Sequence, residues 1–200
     1  MIGVARLSPG VRLHLASAVT PLWQATEDFM KITNMSPPFW AFAWPGGEAL
    51  ALQVAENPKL VAGKRVLDFG SGCGLAAIIC ARAGARVWAA DTDRLARAAI
   101  RLNAAANDVA VEVLEGDATG MACEWDVILA GDVFYEKPMT SHILPWLRAC
   151  AAEATVIAAD PGRAYVPRTG VTEIARYNVP VSRELEDRDE RVVRLLRVTA

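Results

Sequence analysis

The spacing of apolar residues changes period along the chain, and that change predicts an α/β architecture. Short apolar runs, as in strands buried on both faces, cover residues 64–69, 86–90, 111–114, 125–130 and 155–159. Segments with helical spacing cover 75–83, 94–106 and 136–152, the last containing Pro138 and Pro145. Strands alternating with helices imply a parallel sheet with helices on both faces. Right-handed crossovers then bring the carboxyl ends of the strands to one edge.

The flanks read differently. A helix is predicted over 20–32, before the Pro37-Pro38 break, and another over 46–56, ending near Asn57-Pro58. Trp40, Phe42 and Trp44 alternate like one face of an extended segment. They suit a core, and Trp44, next to Pro45-Gly46-Gly47, also suits the wall of a ligand site. In the tail, 176–184 and 191–199 read as two strands, with the charge run from Glu186 to Glu190 as a solvated turn between them. The expected fold is therefore a Rossmann-like seven-stranded, mostly parallel sheet with helices on both faces and a C-terminal antiparallel hairpin. Residues 1–36 are expected to form an N-terminal extension packed on a domain spanning 37–200. Pro9, Gly10 and the arginines Arg6 and Arg12 interrupt the apolar opening, which argues against a signal or transit peptide.

Composition narrows the function. The chain has 200 residues, 53% of them hydrophobic and 22% charged, enough for one full core without staples. Its 21 basic and 23 acidic side chains leave a net charge of −2, which gives no global attraction for nucleic acid or an anionic membrane. No apolar run reaches the roughly 18–20 residues of a membrane helix. Cys73, Cys80, Cys123 and Cys150 form no CxxC pair, and neither His14 nor His142 stands at metal-ligand spacing from them, so no metal site is expected. Reduced thiols suit a reducing compartment. Neither histidine has an evident partner in the sequence.

The chemistry concentrates at the predicted strand ends. Asp68-Phe69-Gly70-Ser71-Gly72-Cys73-Gly74 lies between a strand and a helix. Glycines there permit a tight turn and let backbone N–H groups approach a ligand. Asp91 comes 19 residues after Gly72, where a carboxylate can accept both hydroxyls of a ribose, while Asp93 fits the cap of the following helix. Asp68, Asp91, Asp117, Asp132 and Asp160 all fall at or just past strand ends. An acidic rim opposes a dinucleotide, whose pyrophosphate carries about two negative charges. It favours S-adenosylmethionine, which is cationic. Asp132-Val133-Phe134-Tyr135-Glu136 would face the methyl-donating end. A carboxylate there can orient an amine, and aromatic rings can surround a cation, although Phe134 and Tyr135 also suit plain packing.

These motifs resemble the class I, seven-stranded S-adenosylmethionine-dependent methyltransferases: the glycine turn matches their first motif and Asp91 their second. Residues 38–47, from Pro38 to Gly47, together with Asp132-Val133-Phe134-Tyr135-Glu136 and Asp160-Pro161-Gly162-Arg163, resemble the electron transfer flavoprotein beta subunit lysine methyltransferase family. The resemblance implies lysine methylation on a protein, with that flavoprotein subunit as an expected partner. It implies cofactor contacts from Trp44, Asp68, Gly70, Ser71 and Gly72. Further contacts come from Asp91 with Thr92, from Asp117 with Ala118, and from Asp132. Asp132 and Tyr135 would act at the lysine. The family's human-type members imply the mitochondrial matrix for a eukaryotic chain, whereas the alanine- and arginine-rich composition suggests a bacterial chain in its cytoplasm. Another protein, such as a ribosomal protein, or a small amine remains an alternative acceptor. A non-catalytic binding module on the same fold is a further alternative. A nicotinamide-dependent oxidoreductase fits poorly, since the loop reads G-x-G-x-G.

Overall fold

The computed structural model describes residues 2–16 and 37–200. The helix predicted over 20–32 lies outside the described residues. The elements are β1 (Ile2–Val4), β2 (Arg12–His14), α1 (Pro45–Glu56), β3 (Arg65–Phe69), α2 (Leu75–Arg82), β4 (Arg86–Ala90), α3 (Arg94–Ala106) and β5 (Glu112–Val113). There follow β6 (Val127–Gly131), α4 (Lys137–Cys150), β7 (Thr155–Asp160), β8 (Val171–Pro180), the single turn α5 (Arg183–Glu186) and β9 (Glu190–Val198).

Seven strands form one sheet in the order β5-β4-β3-β6-β7-β9-β8. The first five run parallel, and β9 runs antiparallel to both β7 and β8. The expected seven-stranded Rossmann-like sheet with its terminal hairpin is what the chain forms. Alternation along each strand divides the core. Val66, Val127, Leu129 and Ile157 pack with Ala49 and Val54 of α1 and Ala77 of α2. Leu67, Ile128 and Val156 point the other way, toward Ile143 and Leu147 of α4. Burial on both faces is why the central strands read as unbroken apolar runs.

The tail departs from expectation at two places. The strand predicted over 176–184 begins at Val171 and ends at Pro180. A register shift between Glu173 and Ala175 breaks the alternation of period two there. The run from Glu186 to Glu190 is not wholly solvated. The chain folds into α5, and Glu186 is buried at 3% exposure between two arginines. Near the start, residues Phe39–Ala41 form a 3-10 turn rather than an extended run. The Trp44 indole Nε1 closes that turn by donating to the Phe39 carbonyl at 2.7 Å.

The β1–β2 hairpin packs through Ala5, Val11 and Leu13 against Ala51 of α1 and Leu75 and Ile78 of α2. Polar groups hold its register. The Glu48 carboxylate of α1 accepts the Leu7 N–H at 2.7 Å and the Arg6 N–H at 3.2 Å. Asn107, which caps the C-terminus of α3, accepts from and donates to the Arg12 backbone at 2.9 and 2.6 Å.

Candidate active site

The turn after β3 starts from the positive φ of Gly70 and Gly72, 67° and 54°. At Gly70 a Cβ would press on Val133 Cγ1 at 3.0 Å, so the turn packs against the segment after β6. At Gly72 a Cβ would meet nothing within 4 Å, so the backbone there faces open space. Two carboxylates shape the turn. Asp68 accepts the Ser71 hydroxyl at 2.6 Å and the Ala77 N–H of α2 at 3.0 Å. Burial pushes its carboxyl up to about 6, against the pull of those two donors. Asp91 accepts the N–H of Gly72 at 3.0 Å and of Asp93 at 2.9 Å. Both of its oxygens thus already hold a backbone N–H, although each retains a lone pair. Burial raises its pKa as well. Asp93 caps α3 through the Leu95 N–H at 2.8 Å.

The opposite wall comes from α1. Its first residues, Pro45-Gly46-Gly47, sit on the end of β6: a Cβ on Gly131 would meet the Gly47 nitrogen at 2.9 Å. That approach places Asp132 at the helix N-terminus. Asp132 adopts a left-handed backbone, φ 57°, and its Oδ2 accepts the Gly46 N–H at 2.5 Å. Its Oδ1 accepts Arg163 Nη2 at 2.9 Å. The same guanidinium reaches Glu186 Oε1 at 2.6 Å and stands 5.8 Å from the Trp44 ring centroid. Arg191 Nε donates to Glu186 at 2.7 Å. Burial raises Asp132 to about 6, with Arg163 opposing the rise.

Between these walls lies a cleft of about 420 Å³, including its solvent-open part. Trp44, Asp68, Gly70, Ser71, Gly72 and Asp132 all line it. Asp91 does not line it and is tied to it only by the hydrogen bond from the Gly72 N–H. Tyr135, about one-third exposed, stacks at a tilt on Phe39 with centroids 5.6 Å apart, and Phe39 meets Trp44 edge-on at 5.8 Å. Burial, Glu136 and Asp91 hold the Tyr135 hydroxyl above its ordinary pKa.

The other expected site residues stand apart. Thr92 is exposed, with its carbonyl accepting Arg97 Nη1 at 2.9 Å. Ala118 is buried with Phe69 and Trp125 in the α4-side core. Phe134 is wholly buried, so it packs and does not face a ligand. Not every aspartate of the acidic rim faces the cleft, and Asp160 is the one that most readily reads as a turn cap. Asp160 is buried and turns its Oδ1 to the N–H groups of Gly162 and Arg163 at 2.7 and 2.9 Å. Asp117 is exposed and lies 2.7 Å from His142 Nε2, a partner that was not evident in the sequence. Burial raises Asp117, but His142 and Thr119 outweigh it, and the net direction is downward. Sequence reasoning gives Arg163 and Glu186 no role in the site. Arg163 stands in the Asp160-Pro161-Gly162-Arg163 motif, the one local signal that could have found it.

A family model described as lysine methyltransferase matches residues 39–163. The chain is 34% identical over 185 residues to the electron transfer flavoprotein beta subunit lysine methyltransferase of Danio rerio, covering 88% of this chain and 70% of that protein. It is 36% identical to the Homo sapiens protein of that name over 162 residues, 78% of this chain and 61% of that one. In fold it is similar to the magnesium protoporphyrin IX methyltransferase of Synechocystis solved with S-adenosylmethionine, at TM-score 0.57 and 13% identity, covering 91% of this chain and 99% of that one. With its parallel-sheet cleft and these matches, the chain belongs to the S-adenosylmethionine-dependent lysine methyltransferase family.

Proposed function

We propose that this protein transfers methyl groups to lysine side chains of a protein acceptor, the electron transfer flavoprotein beta subunit being the first candidate. The observation that carries this reading is the meeting, at one sheet edge, of the open glycine turn with the Trp44–Asp132 junction. The open backbone at Gly72 and the Asp91 carboxylate beside it suit S-adenosylmethionine. That cofactor, when bound, supplies a sulfonium methyl, whose C–S electrons stay on sulfur as an amine lone pair forms the new C–N bond and the amine proton passes to solvent.

The chain's own residues supply the rest. Gly70, Ser71, Gly72 and Asp68 hold the amino-acid part, and Asp91 with Thr92 takes the ribose. Asp117 and Ala118, which stand apart from the cleft, are assigned to the adenine by the family resemblance alone. Asp132 accepts an N–H of the incoming amine and fixes its direction. Tyr135, with Phe39 and Trp44 beside it, forms an aromatic wall that favours cationic and methylated groups. Most of the rate comes from alignment, because no general base is required once the lysine is neutral. No described helix is long and apolar enough to cross a membrane. The four unpaired thiols suit a reducing compartment such as the bacterial cytoplasm.

The test is incubation of the purified chain with methyl-labelled cofactor and a panel of proteins containing the flavoprotein subunit. Mass spectrometry should place the label on a lysine of that subunit. Label on another protein would move the acceptor, and no label anywhere would refute the reading.

A further inference from the structure

Arg163 bridges two carboxylates, the part-buried Asp132 that lines the cleft and the buried Glu186. On one side it holds Asp132 at 2.9 Å, on the other Glu186 at 2.6 Å. The groups facing Asp132 come from several elements. From α1 comes the Gly46 N–H at a helix N-terminus, and from the loop after β7 comes Arg163. From α5 comes Glu186, which is matched by Arg191 of β9. Glu48 of α1 is occupied by the N-terminal hairpin, and Asp160 by its own turn. Asp132, Glu186, Arg163 and Arg191 therefore sum to zero formal charge.

We propose that Arg163 is a positioning residue for methyl transfer, one that holds and neutralises Asp132 so that the attacking amine meets a hydrogen-bond acceptor without net negative charge. The inference rests on the lysine methyltransferase reading above. A lysine must lose its proton before it can attack, and a bare carboxylate nearby would stabilise the ammonium form. An acceptor whose charge is already compensated orients the neutral amine without that penalty. Glu186 holds the guanidinium from behind, and the Trp44 ring flanks it. An arginine can bridge two carboxylates through its planar fork, which lysine cannot reproduce in full.

The test compares wild type with Arg163→Met and Arg163→Lys. Carboxyl-carbon NMR of the chain alone, assigned with Asp132→Asn, follows the Asp132 titration. In Arg163→Met its midpoint should rise by about one pH unit or more, and in Arg163→Lys by less. With an acceptor present, the acid limb of the kcat profile should move the same way. At pH values below that limb, the rate should fall roughly tenfold for each pH unit by which the midpoint rises. Cofactor affinity should hold within about threefold, a span under 1 kcal/mol. An unmoved Asp132 midpoint, or an equal loss at every pH, would overturn the proposal and leave Arg163 a scaffold residue. If Arg163→Met fails to fold, Arg163→Met with Glu186→Gln is compared with Glu186→Gln alone, so that the loss of Glu186's own upward pull on Asp132 cancels, and the midpoint should again rise. If wild type methylates nothing, the titration still decides whether Arg163 controls Asp132, while the methyl-transfer reading fails by itself.

Discussion

Asp91 accepts the backbone N–H of Gly72 at 3.0 Å, so the carboxylate after β4 holds the turn after β3. One side chain thus shapes the glycine turn, and the proposed function gives it the ribose as a further partner. Asp91→Ala should weaken cofactor binding on the order of 100-fold, as two charge-assisted hydrogen bonds would. Calorimetry with S-adenosylhomocysteine checks this, and unchanged affinity would remove Asp91 from the site.

Asp132 stands at a junction of three elements. Asp132→Asn keeps an acceptor for Gly46 but loses the charge opposite Arg163. It should lower stability by about 1–3 kcal/mol, since Arg163 retains Glu186. Cofactor should still bind, while methyl transfer falls sharply. Full activity in a folded Asp132→Asn protein would exclude the residue from the reaction.

The close seat of α1 on β6 predicts intolerance of side chains. A Cβ at Gly46 would collide with Asp132 and with the Ala159 carbonyl oxygen, the latter at 2.9 Å. Gly46→Ala should cost about 1–3 kcal/mol in urea unfolding and lose cofactor affinity as the helix shifts. A variant with wild-type stability and binding would show that the helix start is not so constrained.

Asn103, wholly buried in α3, accepts the His14 N–H at 2.6 Å and donates to the Cys73 carbonyl at 2.7 Å. It ties the N-terminal hairpin to the glycine turn. Asn103→Ala should cost roughly 1–3 kcal/mol for each group left unpaired, and should raise the cofactor dissociation constant as the turn loosens. Hydrogen exchange at Cys73 and Gly74 should accelerate; unchanged exchange would argue against the tie.

Asp68 titrates at about 6, above its ordinary 3.8, because burial disfavours the charge. A raised carboxyl adds stability that is complete below the unfolded value and is lost as pH rises through 6. Asp68→Asn should therefore gain on wild type between pH 4 and pH 7, by an order of magnitude of 3 kcal/mol. Binding runs the other way: a cationic cofactor should bind less well as pH falls through about 6, because Asp68 becomes neutral. Asp68→Asn should flatten that dependence, which calorimetry across pH 5–8 would reveal.

Local pattern alone determined the parallel strands, the helices between them and the glycine turn. Two-sided burial writes continuous apolar runs, and a turn with positive φ calls for glycine at its own position. The same logic explains where pattern failed. The bulge between Glu173 and Ala175 hid the start of β8, and the Trp44–Phe39 hydrogen bond made a turn of residues that alternate like a strand. Tertiary structure decided the chemistry of Asp132. Its partners Gly46 and Arg163 lie 86 and 31 residues away, and Glu186 sits in a charge run that looks solvated. Crossovers and sheet register bring those groups to one strand end, and a carboxylate's charge state depends on such neighbours rather than on its place in the chain.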